Sequence, residues 1–480
     1  MENKDYEKMT FVDLVEKWSH ASPERAAVQW CEDGQCMKKT YKEFYEDILA
    51  CADHYFKNDS YRRIALCGQQ DYHFLVLLMS ILRNYNSAVV VTDFVKNEEN
   101  KALLKSIGTS IYVVSKGSEI EIHRDEEDAA SIKKGENLNE QEAVVLLTSG
   151  TTGRKKCVSL SHQNLVFDAM ANIKTSMAGF PTDMIPSMYS FLPFSHAFAL
   201  QGNVATMLYG GGTIQIGSGP VNFMKEISLM KPTHILAVPQ IIKGIMGYLK
   251  LHHVDKVGEF PFIACGGAKL DDEIMKKAAE TGITIFQGYG TTECAPIVSA
   301  NCLPFNKLSS CGRVFEGVDV KILDGEILVK GPNVFNGYIN DEEATQKVFL
   351  DGYYRTGDKG FVDDEGFLFV NGRIKDTIVL ATGENVSPSA LEEKLMNGTC
   401  IKDAYVYEKK TGNVGCITAV IYANGMEEKA LAAVSELNQK LEEYEKIRQV
   451  EFSKDPLMRT ELGKIRRVQN YEVIRKENVK

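Results

Sequence analysis

No stretch of this chain is apolar for long enough to cross a bilayer. The longest run, Phe74 to Met79 extended by Ile81 and Leu82, falls far short of a span. The 11 cysteines include no C-x-x-C pair, which removes zinc ribbons and dithiol redox motifs of that spacing. Cysteines scattered in this way are those of a reduced cytosolic core. Positive charge is in deficit: 55 Lys and Arg against 65 Asp and Glu give a net charge of −10. With no basic stripe to offset it, general nucleic-acid binding is not expected. The opening residues, Met1 to Phe11, are acidic and polar, unlike a secretory signal, so a cytoplasmic location is expected. What remains is ordinary: 480 residues, 44% hydrophobic and 25% charged, long enough for two or more domains.

Helical spacing of Phe11, Leu14, Val15 and Trp18, and an amphipathic pattern starting at Tyr41, predict helix across residues 9–56. Short apolar runs follow at Arg63 to Gly68, Ala88 to Thr92, Ser110 to Val114 and Ala143 to Leu147, with helical text between some of them. Strands alternating with helices predict an α/β domain on a largely parallel sheet. Ser161 is placed to cap a helix in which Leu165, Ala169 and Ile173 share a face. Strand-to-turn transitions recur at Ile235 to Pro239, Phe262 to Lys269 and Thr284 to Glu293. On one parallel sheet their small-residue ends would meet along the carboxyl edge, where open α/β sheets bind ligands.

From about residue 310 the pattern changes. Val318 to Leu323, then Asp324-Gly325, then Glu326 to Lys330 reads as a two-residue hairpin. Asp363-Asp364-Glu365-Gly366 before Phe367 is a second hairpin signal. These predict a small antiparallel subdomain at about 310–371. A boundary near Lys375 then gives domains 1–374 and 375–480, the latter α+β with an amphipathic helix from Glu427 to Tyr444 ahead of a basic tail.

The stretch from Ala143 to Asn164 is the centre of the chain's organisation. A buried strand runs into Thr148-Ser149-Gly150-Thr151-Thr152-Gly153, followed by Arg154, Lys155 and Lys156. Glycines, hydroxyls and free N–H groups there make a nest suited to a polyphosphate, with lysines adding charge. It lacks the Gly-Lys-Ser/Thr spacing of a Walker loop. A polar turn between two strands is the plain alternative.

Five separated stretches then agree with one family. Thr148 to Lys156, Gly288 to Glu293, Tyr354 to Asp358, Gly372 to Asp376 and Arg459 to Lys464 resemble, in order and spacing, the adenylate-forming enzymes. That family includes acyl-CoA synthetases, amino-acid adenylation domains and luciferases. Gly337 to Thr345 and Thr377 to Pro388 look like the long-chain acyl-CoA synthetases in particular. The resemblance implies a large N-terminal domain, a small C-terminal domain on a hinge, and activation of a carboxylate by ATP. An acyl-adenylate forms and its acyl group passes to a thiol.

Roles follow by resemblance. Thr148, Ser149, Gly150, Thr151, Thr152, Gly153 and Lys156 would hold the β- and γ-phosphates of ATP. Glu293 and Thr148 would bind Mg²⁺, a hard ion suited to oxygen ligands. Gly266, Gly267, Ala268, Gln287, Gly288 and Tyr289 would form the adenine wall, leading into Gly290, Thr291 and Thr292 of the same nucleotide motif. Asp358 and Arg373 would fix the ribose hydroxyls, a carboxylate accepting from both. His196 would adjoin the acid, Lys375 would be the hinge, and Gly383 would face the pantetheine arm of coenzyme A. Lys464 would be the lysine of the adenylation step, with Glu293 and His196 also counted as catalytic. Each has a plain alternative: a core histidine for His196, a packed aromatic for Tyr289, turn residues for Glu293 and Asp358, a solvated lysine for Lys464. Arg466, Arg467 and Arg475 would meet coenzyme A phosphates or form a solvated charged face.

The departures are specific. Lys155 and Cys157 replace a usual proline and glycine, implying a less rigid loop and a side chain where backbone packs. Val379 stands where many members have a lysine. Ser195 follows Phe194 where amino-acid adenylation enzymes carry an aspartate, which favours a plain carboxylic acid, and on the wider context a fatty acid. An acyl-carrier-protein synthetase, an amino-acid adenylation enzyme and an inactive acyl or nucleotide sensor are the alternatives.

Overall fold

The computed structural model describes residues 5–125, 132, 134–135, 137, 140–149, 155–258, 260–380, 384–397, 399–411, 414–459, 465 and 467. The chain divides into two compact units. One comprises Met1–Lys321, Leu328–Arg355 and Asp363–Leu368; the other comprises Ile322–Ile327, Thr356–Val362 and Phe369–Lys480.

Two sheets build the first unit. In the larger, of nine strands, Ala26–Glu32, Thr213–Ile216, Ser187–Ser190, His234–Ala237, Phe262–Cys265 and Ile285–Gly290 lie side by side and parallel. Antiparallel strands finish both edges, Gln35–Thr40 on one side and Ile297–Ala300 with Arg313–Val314 on the other. The three strands expected to end together are adjacent here. The Ala143 strand is not among them, because Glu142–Ser149 belongs to a second sheet of seven strands. There it runs parallel to Ser87–Val90 and antiparallel to Lys155–Ser161.

Of the helical stretch expected over residues 9–56, the first helix forms as Asp13–Ala21 and the second starts at Tyr41 as expected, running to Tyr55, but a hairpin separates them. Asp33 and Gly34 both take positive φ, the two-residue turn that matches strand twist. The alternating Ala26 to Glu32 segment then pairs on both sides in the sheet. Tertiary pairing overrides the local helical text. Thr40 restarts the helix through a capping box with Glu43. Ser161 caps His162–Ser176 in the same way with Asn164, as its spacing predicts. The helix Tyr72–Leu82 is buried on every face, which accounts for the longest apolar run. No helix among the described residues is long and apolar enough to cross a membrane.

Asp324 and Gly325 also adopt positive φ between the strands Asp319–Leu323 and Glu326–Lys330, giving the predicted hairpin. In the second unit, Asp403–Thr411, Val414–Tyr422 and Gln449–Phe452 form a three-stranded sheet. The helices Pro388–Met396 and Glu427–Asn438 supply Leu391, Leu395, Ala430 and Val434 to its core. The last helix stops at Asn438, short of the expected Tyr444. The Asn438 side chain turns back there to bond both the N–H and the carbonyl of Ile447, each at 2.9 Å.

Two buried histidines give the first unit a pH dependence. His162 is fully buried, its Nδ1 accepting from the Phe11 N–H at 3.1 Å, and burial lowers its pKa to about 4. Burial lowers that of His234 to about 4 as well. An unfolded histidine titrates near 6.5, so as pH falls the unfolded chain takes up protons first. Stability is therefore complete above about pH 6.5 and is lost progressively down to about pH 4, by on the order of 3 kcal/mol per histidine. Thermal midpoints measured from pH 7 to pH 4 are expected to fall accordingly. His162→Asn, whose amide oxygen still accepts from Phe11, is expected to flatten that slope; an unchanged slope would assign it to other groups.

Candidate active site

The strands Glu142–Ser149 and Lys155–Ser161 are paired through Thr148 opposite Lys156 and Ser149 opposite Lys155. Gly150, Thr151, Thr152 and Gly153 lie outside the described residues. The phosphate nest and the polar turn are both readings of those residues. On the outer edge of this hairpin, Gly337–Tyr338 adds a short antiparallel strand, with Tyr338 opposite Val158. Val158 and Lys156 are two residues apart and share a face, so Lys156 and Tyr338 are diagonal neighbours. The Lys156 ammonium lies 4.2 Å from the centroid of the Tyr338 ring, a cation–π contact. The strand Lys155–Ser161 packs on the turn Thr292–Cys294. From that turn Glu293 accepts a hydrogen bond from the Tyr338 hydroxyl at 2.9 Å. Lys156 and Glu293, far apart in sequence, thus meet on one tyrosine. Among the described residues no ion pair joins the two.

The turn is fixed from beneath. Asn333 is fully buried and donates to the carbonyls of Cys294 and Ile297 at 3.0 and 3.2 Å, while the Phe335 N–H donates to the Glu293 carbonyl at 2.8 Å. The Thr291 hydroxyl, two residues before Glu293, is buried without a hydrogen-bond partner. No cluster of three His, Cys, Asp or Glu side chains exists among the described residues. A cation here would have one carboxylate, nearby hydroxyls and whatever oxygens a bound anion and water supply. Those donors suit Mg²⁺, which is held by few carboxylates together with phosphates and water.

Gly266 follows the strand Phe262–Cys265, and its N–H donates to the Ala237 carbonyl at 3.2 Å. A Cβ on Gly266 would stand 2.6 Å from the Phe198 ring, so the ring rests directly on this turn. The segment carrying His196 is thereby brought beside Gly266, Gly267 and Ala268. His196 is half-buried and precedes the short helix Ala197–Ala199, its carbonyl accepting from Ala199 and Leu200. A π-helix over Leu200–Ala205 follows. The buried Ser195 hydroxyl has no partner. Gln287 is committed to the core: its Oε1 accepts from the Leu270 N–H at 3.2 Å and its Nε2 donates to the Cys311 sulfur. Any contribution of Gln287 to a base pocket would be through backbone. Gly288, Tyr289 and Gly290 form a tight ladder with Ile297–Ala300, Tyr289 lying half-buried opposite Ser299.

In the second unit Asp358 is buried and its Oδ1 accepts from Arg373 Nε at 2.8 Å, while Arg373 Nη1 donates to the Thr356 carbonyl. Glu326 accepts from the Gly357 N–H at 3.0 Å. The two residues expected at the ribose are brought together. Lys375 sits in the single 3₁₀ turn Ile374–Asp376. Gly383 and Lys464 fall outside the described residues. Arg467 is neither solvated nor presented to a ligand: it pairs bidentately with buried Glu392 at 2.8 and 2.9 Å and reaches Asp376 at 3.2 Å. Val379 is well exposed. Motif reading includes Tyr338 within Gly337 to Thr345 without giving it a role, and does not reach Asn333. Their signal, the run Pro332 to Tyr338, is legible only once its pairing is known.

The AMP-binding enzyme family profile matches residues 15–339, and that family's C-terminal domain profile matches residues 375–477. The chain belongs to the AMP-binding enzymes, the adenylate-forming superfamily. Among curated relatives, it is 29% identical to a long-chain-fatty-acid–CoA ligase of Mycobacterium bovis over 58% of this chain and 54% of that one. It is 33% identical to the Bacillus subtilis long-chain-fatty-acid–CoA ligase over 55% of this chain and 49% of that one. The chain thus spans about half the length of these relatives. A 2-succinylbenzoate–CoA ligase of Listeria innocua is 26% identical over 84% of this chain and 88% of its own. The solved O-succinylbenzoate coenzyme A synthetase of Bacillus subtilis, in complex with ATP and magnesium ion, superposes with a TM-score of 0.80 at 22% identity. It covers 95% of this chain and 99% of its own.

The Phe198–Gly266 contact predicts a coupling. Gly266→Ala should destabilise by about 1–3 kcal/mol, because the added methyl must displace the ring. In a Phe198→Ala background the same change should cost little. A double-mutant cycle on thermal or urea stability measures the difference; additive effects would separate the two residues.

Proposed function

We propose that this chain is an acid–thiol ligase that activates a carboxylic acid with ATP and passes the acyl group to coenzyme A. The acid class we assign is a fatty acid. The observation that carries the reading is the meeting of Lys156 and Glu293 on Tyr338: one cation and one carboxylate, the cation in the strand that follows the hydroxyl-rich stretch Thr148 to Gly153 in sequence. That arrangement suits a triphosphate that arrives with its metal. Membership of the AMP-binding enzymes supports the first half-reaction, and the CoA ligases among the relatives support the second.

In the first step the carboxylate oxygen attacks the α-phosphorus of ATP and the bond to pyrophosphate breaks, leaving an acyl-adenylate. Lys156 and the Thr148 to Gly153 loop would hold the β- and γ-phosphates, and Glu293, with Thr148, would face the cation. Mg²⁺, when bound, supplies charge neutralisation on the phosphate oxygens. Asp358, already oriented by Arg373, would accept from the ribose hydroxyls. Tyr289 would lie along the base, and His196 beside the acid. Lys464 would bridge the carboxylate and the α-phosphate as charge gathers between them. Rotation at Lys375 would then withdraw Lys464 and present the Gly383 face to the thiol. In the second step the thiolate attacks the acyl carbon and AMP leaves.

An aromatic acid is the second reading. The Phe198 ring on Gly266 would shorten the pocket beside His196, and the succinylbenzoate ligase matches over most of both chains. A pyrophosphate-release screen across fatty, aromatic and amino acids decides between them; an amino acid turning over fastest would overturn both. Glu293→Ala is expected to cut adenylation by on the order of 10²–10³ and to raise the Mg²⁺ requirement, read from initial rates across a Mg²⁺ titration.

Lys464→Ala should slow acyl-adenylate formation by orders of magnitude, yet still convert pre-formed acyl-adenylate and coenzyme A to thioester. Normal pyrophosphate release in the folded variant, or equal loss of both half-reactions, would remove Lys464 from its role.

A further inference from the structure

We propose that Tyr338 is a positioning residue of the nucleotide site, keeping Lys156 and Glu293 side by side as a usable cation and a usable carboxylate. The proposal rests on the reading that this site takes a metal-bound triphosphate.

A lysine and a glutamate that converge on one spot ordinarily pair, and an ion pair would tie up both groups a nucleotide needs. Here each group contacts Tyr338 instead. Its face carries the ammonium at 4.2 Å and its hydroxyl donates to Glu293 Oε1 at 2.9 Å. The face of the ring holds the ammonium without supplying a hydrogen-bond acceptor, so the N–H donors of Lys156 stay available to other oxygens. The hydroxyl donates to one carboxylate oxygen, which fixes the rotation of the Glu293 side chain and aims the other oxygen. Phenylalanine could do only the first of these, and an aliphatic residue neither.

The ring itself is held. Tyr338 is 9% exposed, pairs with Val158 in the sheet, and packs edge-on against Phe335 at 4.9 Å. Its backbone N–H donates to the Thr345 hydroxyl at 2.9 Å. Phe335 in turn holds the Glu293 carbonyl through its N–H. Tyrosine and glutamate therefore move with one backbone segment, and their separation is set by it.

Calorimetric titration of the full chain with ATP, once in EDTA and once with Mg²⁺, tests this, with thermal unfolding to verify folding. Tyr338→Phe keeps the ring and should lose most of the Mg²⁺-dependent gain in affinity, about tenfold, with a smaller loss in EDTA. Tyr338→Leu should weaken ATP binding in EDTA severalfold as well, because Lys156 collapses onto Glu293. Adding Glu293→Gln to Tyr338→Leu should then recover the binding measured in EDTA, a rescue that a packing role would not produce. A full Mg²⁺ gain in Tyr338→Phe, or no rescue in the double variant, overturns the assignment of Tyr338 alone. If Tyr338→Leu does not fold, the Mg²⁺ gain of Tyr338→Phe decides by itself. A native chain that binds no ATP with Mg²⁺ overturns the functional reading and this proposal with it.

Discussion

Buried side-chain amides fasten the segment Pro332 to Tyr338, and the candidate site of the first unit depends on that fastening. Asn164, in the capping box of the helix His162–Ser176, donates to the carbonyls of Pro332 and Val334 at 2.7 and 3.0 Å. Asn333 donates to two carbonyls of the turn that carries Glu293. The Cys294 and Ile297 carbonyls are withdrawn from water, and leaving one unmet costs about 1–3 kcal/mol. The path of the segment is therefore strongly specified. It can cross the Glu293 turn and reach the edge of Lys155–Ser161 in one register only. A helix cap, the turn that carries Glu293 and a sheet edge become one construction.

That dependence marks where the sequence is readable and where it is not. Signals written within a few residues survive folding: the Ser161 cap, the Asp324-Gly325 turn and the small-residue strand ends all appear where their local chemistry puts them. The α/β class follows from the same kind of signal. The family motifs also bring Asp358 to Arg373 without further information, because Asp358 lies within the strand Tyr353–Val362 and Arg373 ends the neighbouring strand Leu368–Arg373. Tyr338 is different. Its role exists only through a two-residue strand pairing with a partner far earlier in the chain, and no local pattern encodes that pairing. The hairpin at Ala26 to Thr40 fails for the same reason in reverse: its residues read as helix until both sheet neighbours are present. Gln287 shows a third limit. Its motif places it at a ligand, while its amide is consumed by Leu270 and Cys311 in the core.

In the second unit the ionic contacts differ in consequence. Arg373 is partly exposed, so its bond to Asp358 orients a carboxylate more than it stabilises a fold. Arg467 faces Glu392, whose carboxyl is nearly fully buried and pushed up by that burial against the pull of the guanidinium. Removing the arginine would leave a buried charge unmatched, a loss of about 3–5 kcal/mol. The same guanidinium reaches Asp376, next to Lys375. A residue that reads as basic tail thus clamps the helix Pro388–Met396 to the turn Ile374–Asp376.

The departures at Lys155 and Cys157 admit a similar account. Proline would fix φ at the loop exit but would bring no N–H and no charge. Lys155 instead pairs with Ser149 in the hairpin, and its ammonium reaches Asn100 Oδ1 at 2.7 Å and Glu99 at 3.1 Å. Glu99 is largely exposed, so that ion pair contributes little. Asn100 is buried and anchored by its own bond to the Asp93 carbonyl at 2.5 Å, which makes it the firmer of the two ties. Cys157 packs inward with Ala65, Val89, Phe94 and Val145, its thiol pushed up to about 11 by burial, and fills space that a glycine would leave to backbone. The expectation of a less rigid loop bears on residues 150–154, which lie outside the described residues, while Lys155 at its exit is tied to Asn100. Rigidity there comes from a tertiary hydrogen bond and core packing, where the family's usual proline takes it from a ring.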